Sequence, residues 1–516
     1  MMNIRILFAF IVILTLIPGV YADEEYHHFL TLDSPDIEAN TYFGYSIAVG
    51  EDIIVVGEAW RMIEGYYHAG KAYIYDYDGN LKASLQSPTP TVSAVFGGSV
   101  AFNGDIIVVG EPLAGVDQID YSAGKVHIYD VEGNLQSTLT STEPIHGGRF
   151  GYAVAISGDK MIVSESGATF GGYSHAGQVY IFDLEGTLLT TLQSPEPFEG
   201  GGSGGNFGYS LDFNGNIIIV GEVHTTVDDK VDAGRVFVFN HNGDLLASLQ
   251  SPEPQTEGEF GQSVAVNNDF VIVGEHYAEV EGHDEAGKVH VFDLEGSLLY
   301  TLQSPEPEET ALFGRKVAAS EKIVVVGERG ADGATEDEGR VHLYDMDGNY
   351  LTSLKAPQPA ATAEFGSFVA VGGDTIAVGE RSAVGGEYKA GRVYVFRLGE
   401  VIFELSNLII EPDSVDVGKP ITVTVDVENI GTLSGTHTVN LLIDGDLVEE
   451  KTVNVDIGAS ETVSFTYQTD VEGTYRVEIG ELEDSFKVSK PIPGFPAVAL
   501  ILGLSLIMIF LTQRKR

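Results

Sequence analysis

An all-β fold is predicted: a seven-bladed β-propeller followed by an Ig-like β-sandwich. Three observations predict it. First, a Phe-Gly pair returns at Phe43, Phe96, Phe150, Phe207, Phe260, Phe313 and Phe365. Successive anchors lie 53, 54, 57, 53, 53 and 52 residues apart. A period of this length, built from short strands, marks a radial repeat. Second, the strand-like pieces alternate with Asp/Asn/Gly clusters, which supply the positive φ of hairpin turns. Third, the repeat stops after Gly399, and shorter alternating segments take over.

Each repeat contains four strand-like pieces. In the first they are Tyr45 to Val49, Ile53 to Val56, Lys71 to Tyr75 and Leu81 to Leu85. The second is a continuous apolar run, which suits burial on both faces. The fourth ends at Ser87-Pro88, where proline cannot donate to a ladder. First-to-second and third-to-fourth links are tight turns. Second-to-third and fourth-to-first links are longer, and in an antiparallel meander both emerge on one face. That face carries the variable loops and is the expected binding face. The seventh repeat lacks a fourth strand. His28-Phe29-Leu30-Thr31-Leu32-Asp33-Ser34-Pro35 matches the missing piece, so the N-terminal strand is expected to close the ring.

The Phe-Gly start and the Val-Val-Gly-Glu end of this unit resemble FG-GAP repeats, found in integrin α-chain propellers and microbial surface proteins. The resemblance covers seven units over residues 26–399 and implies a propeller. This chain has Gly-Glu where the family often has Gly-Ala-Pro. Its first turns (Gly50-Glu51-Asp52 in the first repeat) are too short for the family's calcium loop, so that site is not transferred.

A glutamate follows the second strand of every repeat: Glu58, Glu111, Glu165, Glu222, Glu275, Glu328 and Glu380. A Lys or Arg opens the third strand in six of seven repeats: Lys71, Lys125, Arg235, Lys288, Arg340 and Arg392, with Gln178 as the exception. Two readings stand. The glutamates form cross-strand ion pairs or accept backbone N–H groups. Alternatively they form a carboxylate ring that grips cations or a sugar. The first long loop holds Trp60, Arg61, Tyr66, Tyr67 and His68, which suit sugar stacking or a protein hot spot. Packing of Trp60 into the rim is the alternative. Acidic loops such as His283-Asp284-Glu285 have no diagnostic ligand spacing, so no metal site is assigned and calcium is the one cofactor left open. No nucleophile elbow, Cys/His pair or phosphate loop appears. An enzyme is not expected, a propeller hydrolase or lyase being the minor alternative.

Beyond the repeats, about 85 residues (405–489) show alternating strands and fit an Ig-like sandwich. Val417-Gly418 and Val427-Glu428-Asn429-Ile430-Gly431 resemble the CARDB module, which implies a stalk. At the N-terminus, Arg5 and the apolar run Ile6 to Ile17 precede Val20-Tyr21-Ala22, the pattern of a signal peptide over residues 1–22. At the C-terminus, Pro493-Gly494-Phe495, an apolar run and Arg514-Lys515-Arg516 resemble the PGF-CTERM sorting signal of archaeal surface proteins, over residues 493–516. The resemblance implies anchoring at the outer surface, with a transmembrane helix retained or replaced by lipid.

The chain has 76 acidic against 28 basic residues, a formal charge of -48, and no cysteine. That balance disfavours nucleic acid and anionic membrane surfaces. The expected function is surface-anchored, non-enzymatic binding or adhesion toward a surface protein or glycan. A structural cell-envelope (S-layer-associated) component that binds cations is the alternative.

Overall fold

The computed structural model describes residues 26–117, 119, 121–197, 204–333, 335–382, 384, 386–399 and 401–490. The expected signal segment and the sorting tail with Pro493, Gly494 and Phe495 lie outside the described residues. Among the described residues no helix is long and apolar enough to cross a membrane. Two compact units are present, Tyr26–Leu398 and a second one C-terminal to it.

The first unit opens with β1 (Tyr26–Asp33), then β2 (Phe43–Val49), β3 (Ile53–Glu58), β4 (Lys71–Asp76) and β5 (Leu81–Leu85). Strands β2 to β5 pair in chain order as sheet one, and five more sheets repeat that order. Sheet seven takes Phe368–Gly372, Thr375–Glu380 and Arg392–Leu398 from the end of the array and β1 from its start. Leu32 sits opposite Val393 and His28 opposite Phe396. The first strand of each sheet packs on the first strands of both neighbours, and the ring closes from Phe368–Gly372 back to β2. This is a β-propeller with the first strands innermost. Burial follows the layering. All six residues of β3 are buried because neighbouring sheets cover both faces, whereas β5 is largely exposed.

Two devices join neighbouring sheets. The Phe of each Phe-Gly pair fills the gap between them. Phe96, for example, is fully buried among Val55 and Ile74 of sheet one and Val109 and Tyr129 of sheet two. Its ring meets Tyr129 edge-on, with centroids 6.2 Å apart. Its backbone N–H donates to the Ala69 carbonyl at 2.9 Å, and the Phe43 N–H donates to Ala390 at 2.8 Å across the ring's seam. The second device is close approach. Gly97 has φ +80°, and a Cβ there would lie 2.4 Å from the Lys71 carbonyl oxygen, so only glycine fits.

The second unit is a sandwich of a three-stranded sheet (Phe403–Glu411, Ile421–Asn429, Ser460–Tyr467) and a five-stranded one. Val423, Val425, Leu441, Phe465, Val477 and Ile479 are fully buried in its core. Asn429 is also fully buried. Its amide donates to the Leu433 and Val455 carbonyls at 2.8 and 2.9 Å and accepts from the Gly431 N–H at 3.0 Å. Strand Phe403–Glu411 opens the unit two residues before the expected boundary at 405. A bulge between Ser406 and Ile409 breaks its alternation.

Candidate functional site

The seven glutamates after the second strands do not form an open carboxylate ring. They are buried, from 0 to 2% exposed. Nor do they pair with the cations that open the third strands, although Glu58 and Lys71, for example, are register partners. The long cations reach outward instead, to residues just beyond the Ser-Pro corners. Lys125 Nζ bonds Thr89 Oγ1 at 3.2 Å, Lys288 meets Glu253 at 3.4 Å, Arg340 meets Glu306 at 3.2 Å, and Arg235 meets Glu196. A flexible stem keeps its charge near water more cheaply than it buries it.

The glutamates receive other partners. The third residue of the third strand donates to the carboxylate: Tyr73 to Glu58 at 2.6 Å and Tyr180 to Glu165 at 2.6 Å. Histidine takes this place at His127, His290 and His342, 2.7 to 2.8 Å from Glu111, Glu275 and Glu328. The corner serine of the preceding sheet adds a second donor: Ser87 to Glu111 at 3.0 Å, Ser141 to Glu165 at 2.8 Å, and Ser251 to Glu275 at 2.9 Å. In the last repeat Ala356 occupies that corner, and Ser382 bonds Glu380 instead. These carboxylates therefore tie sheet to sheet.

Sheet four is the weak case, because Phe237 replaces the Tyr or His donor. Burial pushes the Glu222 carboxyl up to about 7, partly offset by Ser194 and Arg235. The unfolded chain ionises this group first as pH rises, so its contribution to stability falls between the ordinary carboxylate range and about 7. Glu222→Gln is expected to unfold like the native chain at about pH 4 and to be more stable by about 1–3 kcal/mol at about pH 8. Urea denaturation at the two pH values checks this. A Gln variant that is less stable at both would remove the ionisation penalty from the account.

One of these networks imitates a catalytic triad. Ser353 Oγ lies 2.8 Å from His342 Nδ1, and His342 Nε2 lies 2.7 Å from Glu328. Both line a cleft of about 190 Å³ on the outer edge of sheet six, with Arg340 and Tyr350. The same arrangement recurs with threonine at Thr138–His127–Glu111 and Thr301–His290–Glu275. Recurrence with a poorer nucleophile in two sister sheets marks it as a way of satisfying a buried histidine.

The first long loop divides. Trp60, Tyr66 and Tyr67 are 37, 41 and 65% exposed. Trp60 meets His68 edge-on at 4.9 Å and Tyr42 at 6.0 Å. Arg61 does not belong with them. It is 5% exposed and held by Asp36, Glu38 and Glu58, so it fixes the rim rather than meeting a partner.

A further constellation lies at the axis, on the long-loop face. The skeleton repeats, but the residues flanking each Phe-Gly pair and following each ring glutamate do not. After Phe-Gly stand Tyr45, Gly98, Tyr152, Tyr209, Gln262, Arg315 and Ser367. After the glutamates stand Ala59, Pro112, Ser166, Val223, His276, Arg329 and Arg381. Sheets six and seven thus carry arginine, sheet five carries Gln262 and His276, and sheets one, three and four carry tyrosine. The Tyr152 and Tyr209 rings lie 5.3 Å apart, and Tyr45 lies 5.0 Å from Phe368. Arg315 Nη1 donates to His276 Nε2 at 2.9 Å. Arg329 and Arg381 share Glu364, at 2.7 and 3.2 Å. The Tyr45 phenol is raised by burial and feels the charges of Arg381 and Arg315 and the phenol of Tyr209. Side chains from opposite sheets therefore converge. Among the described residues no group of three or more His, Cys, Asp or Glu side chains is placed to hold a metal ion.

A family model described as FG-GAP repeat matches residues 31–75, 134–182, 246–292 and 351–396. One described as CARDB matches residues 402–481. The chain thus contains FG-GAP repeats and a CARDB domain. Each FG-GAP segment begins on, or one residue before, the fourth strand of one sheet and ends on the third strand of the next. The sequence unit straddles two sheets, which is why the ring needs β1 to close.

Proposed function

We propose that this chain is a cell-surface binding or adhesion protein without enzymatic activity, whose seven-bladed propeller offers its long-loop face to a surface protein or glycan. The observation that carries this reading is the contrast at the axis. Seven copies of one skeleton keep their wedges, glycines and buried glutamates, yet differ at the positions that line the axial mouth. Packing asks the same of every sheet, so the variation answers to something other than packing. The signal-like N-terminus and the Pro493-Gly494-Phe495 tail support export and anchoring at an outer surface, of the kind archaeal surface proteins use, and the CARDB unit supports a spacer role.

A screen of the full chain against glycans and envelope proteins, with calcium and with chelator, tests the reading. Binding is expected to be lost when Trp60, Tyr66 and Tyr67 are changed to Ser together, while the unfolding midpoint stays near native. Exposed aromatics of this kind contribute most of an interface's energy, so a loss of about 10-fold or more is expected. No binding in either condition would sink the proposal. Calcium-dependent self-association with no separate ligand would favour the envelope-component reading, which the charge of -48 supports.

A further inference from the structure

The axial cluster of side chains is electrostatically incomplete. Arg315, Lys316, Arg329 and Arg381 lie near enough to feel one another's charge, in a chain that is otherwise strongly acidic. Glu364 serves Arg329 and Arg381. Arg315 forms no ion pair within 4 Å among the described residues; its side chain donates to His276, and Glu259 is near enough to feel its charge. The Lys316 ammonium has neither a hydrogen bond nor an ion pair among them, although its backbone is paired with Gly327. Burial, with Arg315 and Arg381 nearby, brings its ammonium down to about 8. Buried nitrogens also lack partners: Arg329 Nε, Arg381 Nε and His276 Nδ1. Enclosed cations without a counter-charge are costly, and an anion relieves that cost.

The rest of the cluster narrows the anion. Tyr45 stands beside Arg381, both against the Phe368 ring, and Tyr152 and Tyr209 stand on sheets three and four; such rings suit the apolar face of a pyranose. Gln262 presents a buried, unpartnered carbonyl oxygen, and Glu259 lies 3.8 Å from His276. The cluster therefore offers donors for a carboxylate, acceptors for hydroxyls and a ring to stack on. An aspartate side chain would use the first of these alone.

Resting on the reading of this face as the binding face, we propose that the axial cluster binds an acidic sugar, its carboxylate among Arg315, Lys316 and Arg381 and its ring against Tyr45 and Tyr209. The test is isothermal titration of the full chain with methyl β-glucuronide, methyl β-glucoside, acetate, sulfate and an aspartate-containing peptide. The glucuronide is expected to bind at least about tenfold more tightly than each of the others. Arg315→Met and Lys316→Met should each weaken it by about tenfold. Lys160→Met, on the tight-turn face, should leave it unchanged. Should Arg315→Met fail to fold, Arg315→Lys keeps the charge but not the fork, and a partial loss is expected. Equal binding of the glucoside, acetate or sulfate would overturn the proposal, as would tighter binding of the peptide. If the wider screen finds a ligand that Arg315→Met does not affect, this site falls and the surface-binding reading stands. If the screen finds none, both fall.

Discussion

Phe207→Ala is expected to lower the unfolding free energy by about 3–5 kcal/mol. The side chain is fully buried. It packs with Ile162, Val179 and Ile181 of sheet three and Val220 and Phe237 of sheet four. Its ring stands edge-on to Phe239 at a centroid distance of 6.1 Å. The upper part of the range applies because the site cannot collapse. The Phe207 N–H is fixed to the Ala176 carbonyl at 3.1 Å, and the Gly208 N–H to the Gly221 carbonyl at 3.0 Å. Both walls of the cavity are therefore pinned by backbone, and the lost contacts are not recovered. Leu246→Ala is the control. It is 47% exposed on the fourth strand of the same sheet, and its loss should stay within about 0.5 kcal/mol. Denaturant midpoints of the two variants, at unchanged slope, decide the matter. A Phe207 loss no larger than the Leu246 loss would mean that these rings decorate the interface rather than hold it.

The same seven phenylalanines show what was legible in the sequence. Their period, the flanking glycines and the Ser-Pro corners are constraints that every sheet shares, so they repeat and can be read as columns. Closure by β1 was legible for the same reason, since its Leu32-Asp33-Ser34-Pro35 end carries the corner signature far from the other copies. The partners of the buried glutamates were not read correctly. Glu58 and Lys71 are opposite in register, and proximity in the ladder suggested an ion pair. The outcome turned on the third-strand residue two places further on, which lies on the same face and is a Tyr or His in six sheets. A buried carboxylate takes the rigid donor that is buried with it, while the long cation escapes to solvent. The axial cluster was hidden for a different reason. Arg315, Arg329 and Arg381 are separated along the chain, and each stands in a column that a search for shared residues discards. Their signal is divergence between otherwise similar repeats, which has meaning only once a ring topology brings those columns to one axis.

Deleting Tyr26–Asp33 is expected to have the largest effect on the propeller, larger than any single substitution. The strand supplies the outer edge of sheet seven, and its removal acts on three levels. The ladder from Leu30 to Asp33 against Arg392 to Val395 is lost. So is the burial of Tyr26 and Leu32, which contributes about 1.5–3 kcal/mol for each side chain. The paired contact of Arg392 with Asp33, at 2.6 and 2.9 Å, disappears as well. Strand Arg392–Leu398 is then left as an open edge in a ring that otherwise has an outer strand on every sheet, and unpaired edges recruit other chains. The deletion also removes the strand that, continuous in chain with β2, pairs with the last strand of the array. Gel filtration should show oligomers, and calorimetry should show a broadened transition at lower temperature. Leu32→Ala separates packing from closure. It keeps the ladder, so it should lower stability by about 2–5 kcal/mol while the protein stays monomeric. A deleted chain that remains monomeric and unfolds as sharply as the intact one would show that the seam is held by the Phe43–Ala390 backbone bond and the inner strands alone, with β1 as a cover over an already closed ring.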